Sequence, residues 1–372
     1  MGVPPGRYPE GMEEQLEVGI ALAHPGAHAW VGGQLLDREE REAELDDALS
    51  PGATRPVGAG KRERAEEPDP YRLCFERDLD RVKHSRPWRR LAGKCQVFVA
   101  PEDDHLRTRL THAVEVAQVA TGIARAANLC VPLVEAIALA HDCGHGPAGH
   151  ASEEAFSPFL PAGGYDHAVY GADVTLAPLN LCVETLDGVR NHSWRRPAPG
   201  TAEGEVVAWA DRIAYVCHDF EDAVRAGILV ADDLPAAVRD VVGTRRSQQI
   251  GTFVVAVLDA IRRTGSVGMT EPAASALAEF RSFNFERIYL RPAACRQADR
   301  AIFLLRGLVE HFADAPLRIP EVASGAVPPV DAGLPEAAAE AVRYVSGMTD
   351  RVALGLGVEL LGWRPEDLPR GV

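Results

Sequence analysis

The chain has no Cys-x-x-Cys pair. Its seven cysteines, Cys74, Cys95, Cys130, Cys143, Cys182, Cys217 and Cys295, are odd in number and scattered. That excludes a zinc knuckle and points to reduced thiols in a cytosol. Long apolar runs are lacking too: a stretch such as 252–258 falls far short of the ~20 residues that span a bilayer. The first six residues, Met1-Gly-Val-Pro-Pro-Gly6, carry neither a basic start with an apolar run nor a Ser or Thr at position six. A secretory signal and a myristoylation signal are therefore not expected. The expectation is a soluble, cytoplasmic protein with no membrane partner. Basic charge is scarce, with 39 Lys+Arg against 54 Asp+Glu and a formal net charge of −15. General nucleic-acid binding needs the opposite field, so nucleic acid is not expected as a partner.

Strand signals are thin. Cys95–Ala100 and Arg287–Leu290 are the better short candidates, and there is neither an internal repeat nor a sustained heptad. What remains is helical. At 372 residues, 46% apolar and 25% charged, the chain can hold one large helical domain plus appendages. Residues 1–68 are rich in Pro, Gly, Ala and charge, with one acidic helix expected at Leu35–Leu49 and a linker over 51–61. Three helices are expected beyond that: about Thr111–Asn128, about Pro132–Asp142 and about Gly204–Gly227. On the last, Val206, Ala210, Ile213, Cys217, Phe220 and Val224 form an apolar stripe. Asp211, Tyr215, Asp219 and Asp222 lie roughly opposite, free to reach a site.

Eight of the 12 histidines lie between His105 and His218. A His-Asp dipeptide alone says little, since both His141-Asp142 and His218-Asp219 occur. Spacing says more. His112 at a helix start, His141-Asp142 at a helix end and Asp211 on a polar stripe can converge in a bundle. Two imidazoles and two carboxylates make a mixed N/O shell suited to Mn, Fe, Zn or Mg, with positions left for water and phosphate. His145, His150 and Glu153 follow in a Gly-Pro-Gly loop, within reach of those ligands for acid–base chemistry on a phosphate. Arg109 stands three residues before His112, where its fork suits a phosphate oxygen. Residues 72–94 hold eight Lys/Arg against three Asp/Glu; within and beside them, Lys94 and Gln96 are candidate substrate contacts.

Phe75-Glu-Arg-Asp78-Leu-Asp80-Arg81-Val-Lys-His84-Ser85 and Gln96-Val-Phe98, with Arg109-Leu-Thr-His112, His141-Asp142, Gly144-His145, Gly149-His150, Glu153, Gly163-Gly-Tyr-Asp-His167 and Ala210-Asp211-Arg-Ile-Ala-Tyr215, occur in this order. Together they resemble the HD-domain deoxynucleoside triphosphate triphosphohydrolases, nearest the bacterial dGTPase-like branch. The close likeness covers roughly 70–230. Fainter echoes recur at Phe283-Asn-Phe-Glu-Arg287 and Ser346-Gly-Met-Thr-Asp350-Arg351.

The resemblance implies an all-α HD-domain bundle with extra C-terminal helices and at most a short β-hairpin. It divides the chain into an extension (1–68), an HD phosphohydrolase core (69–235) and a C-terminal helical region (236–372). It implies one divalent ion on His112, His141, Asp142 and Asp211, with Mg or Mn ahead of Fe, Co or Zn. It also implies hydrolysis of a dNTP to a deoxynucleoside and inorganic triphosphate. His150 and Glu153 match a catalytic pair, with Glu153 expected to orient the His150 ring, and His167 matches a residue at the phosphates. Arg109 matches a phosphate-binding position, while Gln96, Tyr215 and Asp219 match positions lining the sugar. A nucleotide effector and a homo-oligomer are further expectations of the resemblance. Ala148 stands where an aromatic is common, Ser152 where glycine is frequent, and Ala168 where asparagine is usual; the ligand set is unaffected. The alternatives are an HD phosphohydrolase acting on a monophosphate, cyclic or alarmone nucleotide, and a weakly catalytic nucleotide-binding regulator.

Overall fold

The computed structural model describes residues 23–24, 31–99, 101, 103–161 and 163–371. The chain is all-α. The helices that matter below are α1 (Arg38–Ala48), α2 (Cys74–His84), α3 (Arg109–Ala126), α4 (Val131–Ala140), α5 (His150–Phe156), α6 (Val183–Asn191) and α7 (Ala202–Arg225). They continue with α8 (Arg246–Thr264), α9 (Glu271–Asn284), α10 (Pro292–Asp314), α11 (Pro335–Ser346) and α12 (Asp350–Leu361).

Local chemistry sets the helix starts. Asp37 and Glu40 form a reciprocal capping box on α1, Thr108 accepts the Thr111 N–H on α3, and Thr201 accepts the Gly204 N–H on α7. Pro132 sits in the first turn of α4, where its missing N–H costs nothing. The observed bounds lie within three residues of the expected ones.

Neither strand candidate forms a strand. Cys95 makes one isolated bridge with Thr108, and Arg62 makes another with Cys182; no ladder forms among the described residues. Phe98 and Val99 are buried by packing in bends, so their apolar run reports burial and not pairing. The segment Phe285–Tyr289 is a wide π-type turn continuing α9, which buries Ile288. Ala100 lies outside the described residues.

Two cores result. The larger gathers α2, α3, α4, α7, α8 and α9 around Val116, Ile123, Leu133, Ile137, Ile213, Phe253 and Phe280. Helix α3 lies against α4 and α7, while α8 and α9 cover the far side of α7. Asp219 and Asp222, expected on a polar stripe that can reach a site, are buried, Asp219 against Tyr289 in the turn after α9 and Asp222 against Arg107 before α3. The smaller core joins Ala155, Phe156 and Tyr165 to Leu304, Leu305, Leu308, Val342, Val345 and Leu354. Helix α5 therefore packs on α10.

The stretch 51–62 is tied down by polar contacts that its composition conceals. Glu203 accepts the N–H and hydroxyl of Thr54 at 3.0 and 2.7 Å. Arg62 pairs with the buried Asp78 at 2.6 Å, and Asp78 also accepts from Cys182 N–H and the Thr185 hydroxyl. Half the cations of 72–94 are likewise paired with acids: Arg72 with Asp69 and Asp80, Arg77 and Arg81 with Glu66, and Lys83 with Glu135.

Candidate metal centre and acid–base group

Three helices of the larger core bring the expected ligands together. His112 is in the first turn of α3, His141 follows the last residue of α4, Asp142 is next in the turn, and Asp211 lies within α7. His112 Nε2 is 3.0 Å from Asp211 Oδ1. His141 Nε2 is 3.7 Å from that same oxygen and 3.5 Å from Asp142 Oδ1. Ligands about 2.1 Å from a shared cation stand roughly 3.0–3.4 Å apart; His112, His141 and Asp211 offer atoms within 4.8 Å of one another, whereas Asp142 groups with His141 and His192.

Hydrogen bonding supports the fit. The Nδ1–H of His141 donates to the Ala138 carbonyl at 2.7 Å, which leaves the Nε2 lone pair facing the acids. That nitrogen is buried without a hydrogen-bond partner among the described residues. An orphaned acceptor beside two carboxylates is unfavourable unless a cation joins them. Burial is the largest influence on Asp142 and pushes its carboxyl up. Arg109, His141 and His145 outweigh it and hold the group well below the usual range. Asp211 is held at about 2: burial acts upward, but the His112 hydrogen bond and neighbouring imidazoles prevail. Both acids are ionised, as metal ligands must be.

Arg109 is fully buried at the start of α3. Its Nη1 donates to Asp142 Oδ2 at 2.8 Å, while Nε and Nη2 have no partner among the described residues. Gly149 makes this approach possible: with φ +60, a Cβ there would lie 2.7 Å from Arg109 Nη2. A buried guanidinium with two donor nitrogens unspent, beside a cluster able to hold a metal, has the chemistry to receive an anion.

A second group adjoins the first. One ligand atom each from His145, His150, Glu153 and His167 lie within 4.8 Å of one another. The His145 ring stacks on His167 with centroids 3.7 Å apart, and His145 Nε2 reaches Asp142 Oδ1 at 3.3 Å. Glu153 bonds to Nδ1 of His167, not to the His150 ring that sequence reasoning assigned it. His167 heads a helical turn one residue after its cap, Asp166, and that geometry turns its ring toward α5. Burial, the largest influence, pulls the His167 imidazolium down, yet the bond and charge of Glu153 raise it overall. His145 is driven well below the ordinary imidazole value by burial and by Arg109.

The other expected site residues are placed as follows. Tyr215 accepts a hydrogen bond from Arg281 at 2.8 Å. Asp219 accepts from the Tyr289 hydroxyl with Oδ2 and leaves Oδ1 without a partner among the described residues; burial lifts this carboxyl to about 7. Gln96 is half-buried, and its Oε1 has no partner among the described residues. The Lys94 ammonium is buried and spent on two carbonyls, those of His145 and Ser346.

Sequence reasoning missed His192. Its Nδ1 donates to the Val189 carbonyl at 2.8 Å, as His141 does to Ala138, and its Nε2 stands 3.2 Å from His167 Nε2. With His141 and Asp142 it forms another cluster able to hold a metal. It has no acid beside it in sequence, and its place in the histidine-rich span was the only signal. Tyr289, hidden in an expected strand, was also missed.

Comparison with known proteins agrees with this geometry. Residues 109–216 match the HD domain, and residues 267–357 match the phosphohydrolase-associated domain. These regions contain every metal-ligand candidate and the C-terminal helices packed on α5, and they mark a phosphohydrolase of the HD class. A deoxyguanosinetriphosphate triphosphohydrolase-like protein of Caldanaerobacter subterraneus is 39% identical over 324 residues, covering 85% of this chain and 92% of its own. Proteins with the same description from Clostridium perfringens (strain 13) and Clostridium tetani are 39% and 36% identical, covering 78% and 82% of this chain and 87% and 91% of theirs. The chain belongs to this deoxyguanosinetriphosphate triphosphohydrolase-like family. Among the described residues, no helix is long and apolar enough to cross a membrane.

Proposed function

We propose that the protein hydrolyses deoxynucleoside triphosphates at the α-phosphorus, releasing a deoxynucleoside and inorganic triphosphate. The observation that carries this is Arg109: fully buried, bound to Asp142 and with two free donors beside the ligand cluster. The description shared by its relatives names the same reaction class for them.

His112, His141, Asp142 and Asp211 would hold one divalent ion, Mg or Mn before Fe, Co or Zn. When bound, it supplies Lewis-acid charge at an α-phosphate oxygen and lowers the pKa of water. Arg109 grips a phosphate oxygen and offsets its charge, and Gly149 keeps that approach clear. Hydrolysis removes one proton from water and delivers one to the departing 5′-oxygen. His145, which burial keeps neutral, and His167, whose proton Glu153 stabilises, stand on one side of the cluster to exchange them with His150. Tyr215, Asp219 and Gln96 face the sugar in this reading. The unpaired Asp219 Oδ1 awaits a hydroxyl donor.

The test is to incubate metal-loaded protein with each dNTP and rNTP and identify the phosphate product. Inorganic triphosphate from dNTPs is expected. Pyrophosphate or orthophosphate as the sole product overturns the reading.

A further inference from the structure

Asp350 opens α12 and is buried, with 6% of its surface exposed. An acid in the first turn of a helix ordinarily serves that helix's own free N–H groups. This carboxylate turns away from them. Its Oδ1 accepts the N–H of Ala148 at 2.9 Å, across 202 residues of chain, and its Oδ2 accepts the N–H of Cys95 at 2.9 Å. Ala148 has φ +59, a left-handed conformation that a residue with a Cβ adopts at a cost and that its surroundings must hold.

Lys94 grips the other end of the same loop. Its ammonium bonds to the His145 carbonyl and reaches the Ser346 carbonyl at 2.9 Å. Its own carbonyl accepts the N–H of Arg109 at 3.0 Å, and Cys95 bridges to Thr108, so this strip is also anchored to the start of α3. The strip and the 346–350 turn are pressed together: a Cβ on Gly93 would lie 2.8 Å from Thr349 Cγ2. The loop between Asp142 and His150 is thus held at its first histidine's carbonyl and at Ala148's amide, with one anchor supplied by the C-terminal region.

We propose that Asp350 is a positioning residue for His150 and Glu153, and that the C-terminal helical region acts in the reaction by fixing the 144–149 loop against the Arg109 and metal-ligand helices. The inference rests on the phosphohydrolase reading for its kinetic consequence but not for its structural one.

Asp350→Asn keeps the shape but sets an NH2 against one of two N–H donors. Its turnover number is expected to fall by about 100-fold, as for an ångström-scale misplacement of a reacting group. KM for the dNTP and Mn affinity, measured by calorimetry, should stay within about threefold of the wild type. Asp350→Glu, which keeps both acceptors, should recover at least a tenth of wild-type turnover. Hydrogen exchange of the full-length protein supplies a readout free of activity: amides of 144–149 should exchange faster in Asp350→Asn, and those of α3 and α4 should not. Turnover within threefold of wild type, or unchanged exchange of the loop, overturns the proposal. So does equal loosening of α10, α11, α12 and the loop, which marks a purely structural acid. A wild-type protein that hydrolyses no nucleotide sinks the proposed function, and the exchange comparison still decides whether Asp350 holds the loop.

Discussion

The two halves of the site are built by different parts of the molecule. The candidate metal ligands sit on α3 and α7 and just past the end of α4, helices whose apolar faces meet in the larger core around Val116, Ile137 and Ile213. His150 and Glu153 sit on α5, whose back, Ala155 and Phe156, belongs to the smaller core with Leu304, Leu308 and Val342. In the proposed reading, holding a cation belongs to the 109–216 bundle, while aiming the acid–base group depends on residues nearly two hundred positions later. Damage to either core should show in a different observable: metal affinity for one, turnover at full metal loading for the other.

The largest effect is expected from removing a ligand. Asp211→Ala should cut metal affinity by more than about 100-fold and turnover by about 10⁴, read by calorimetry and product assay. Intact metal binding in that variant would move the centre elsewhere. Next, Glu153→Gln should lower turnover by about 10²–10³ at full metal loading, because His167 loses the anion that orients it and stabilises its proton. A fall in metal affinity of the same size would merge the two halves.

Paired cavity mutations sharpen the division further. Leu308→Ala and Val116→Ala each empty part of one core; denaturant unfolding should show a loss of about 2–5 kcal/mol for the former and somewhat less for the latter. Assayed well below their unfolding temperatures, Leu308→Ala should reduce turnover and spare Mn affinity, and Val116→Ala the reverse. The smallest effect concerns Asp219, whose carboxyl is raised to about 7 by burial. The folded state therefore holds this proton more tightly than the unfolded chain. Its contribution to stability is greatest below pH ~4, falls as pH rises through about 7, and is level above. Relative to Asp219→Asn, metal-free wild type should lose up to about 1.4 kcal/mol per pH unit within that window. Parallel pH profiles would show that Asp219 stays ionised.

Much of this was legible in the chain. Helices α3, α4 and α7 were visible because caps, Pro132 and apolar spacing are local signals, and of the expected ligands the bundle gathers His112, His141 and Asp211 into one cluster and Asp142 into another with His141 and His192. The strands at 95–100 and 287–290 were misread because short apolar runs report burial, whichever backbone conformation achieves it. The polar stripe of α7 was read as able to reach a site, but nothing local announces that Asp222 meets Arg107 or that Asp219 meets Tyr289.

The sequence by itself determined the ligand types, their spacing and the acidic balance, since residue chemistry and helical period are properties of the chain alone. Only the tertiary structure decided that Glu153 serves His167, that Lys94 is consumed by two carbonyls, that His192 joins the cluster and that Asp350 reaches back to Ala148. Each of these depends on which segments meet in space, and hydrogen bonds between groups up to 255 residues apart leave no periodic trace to read.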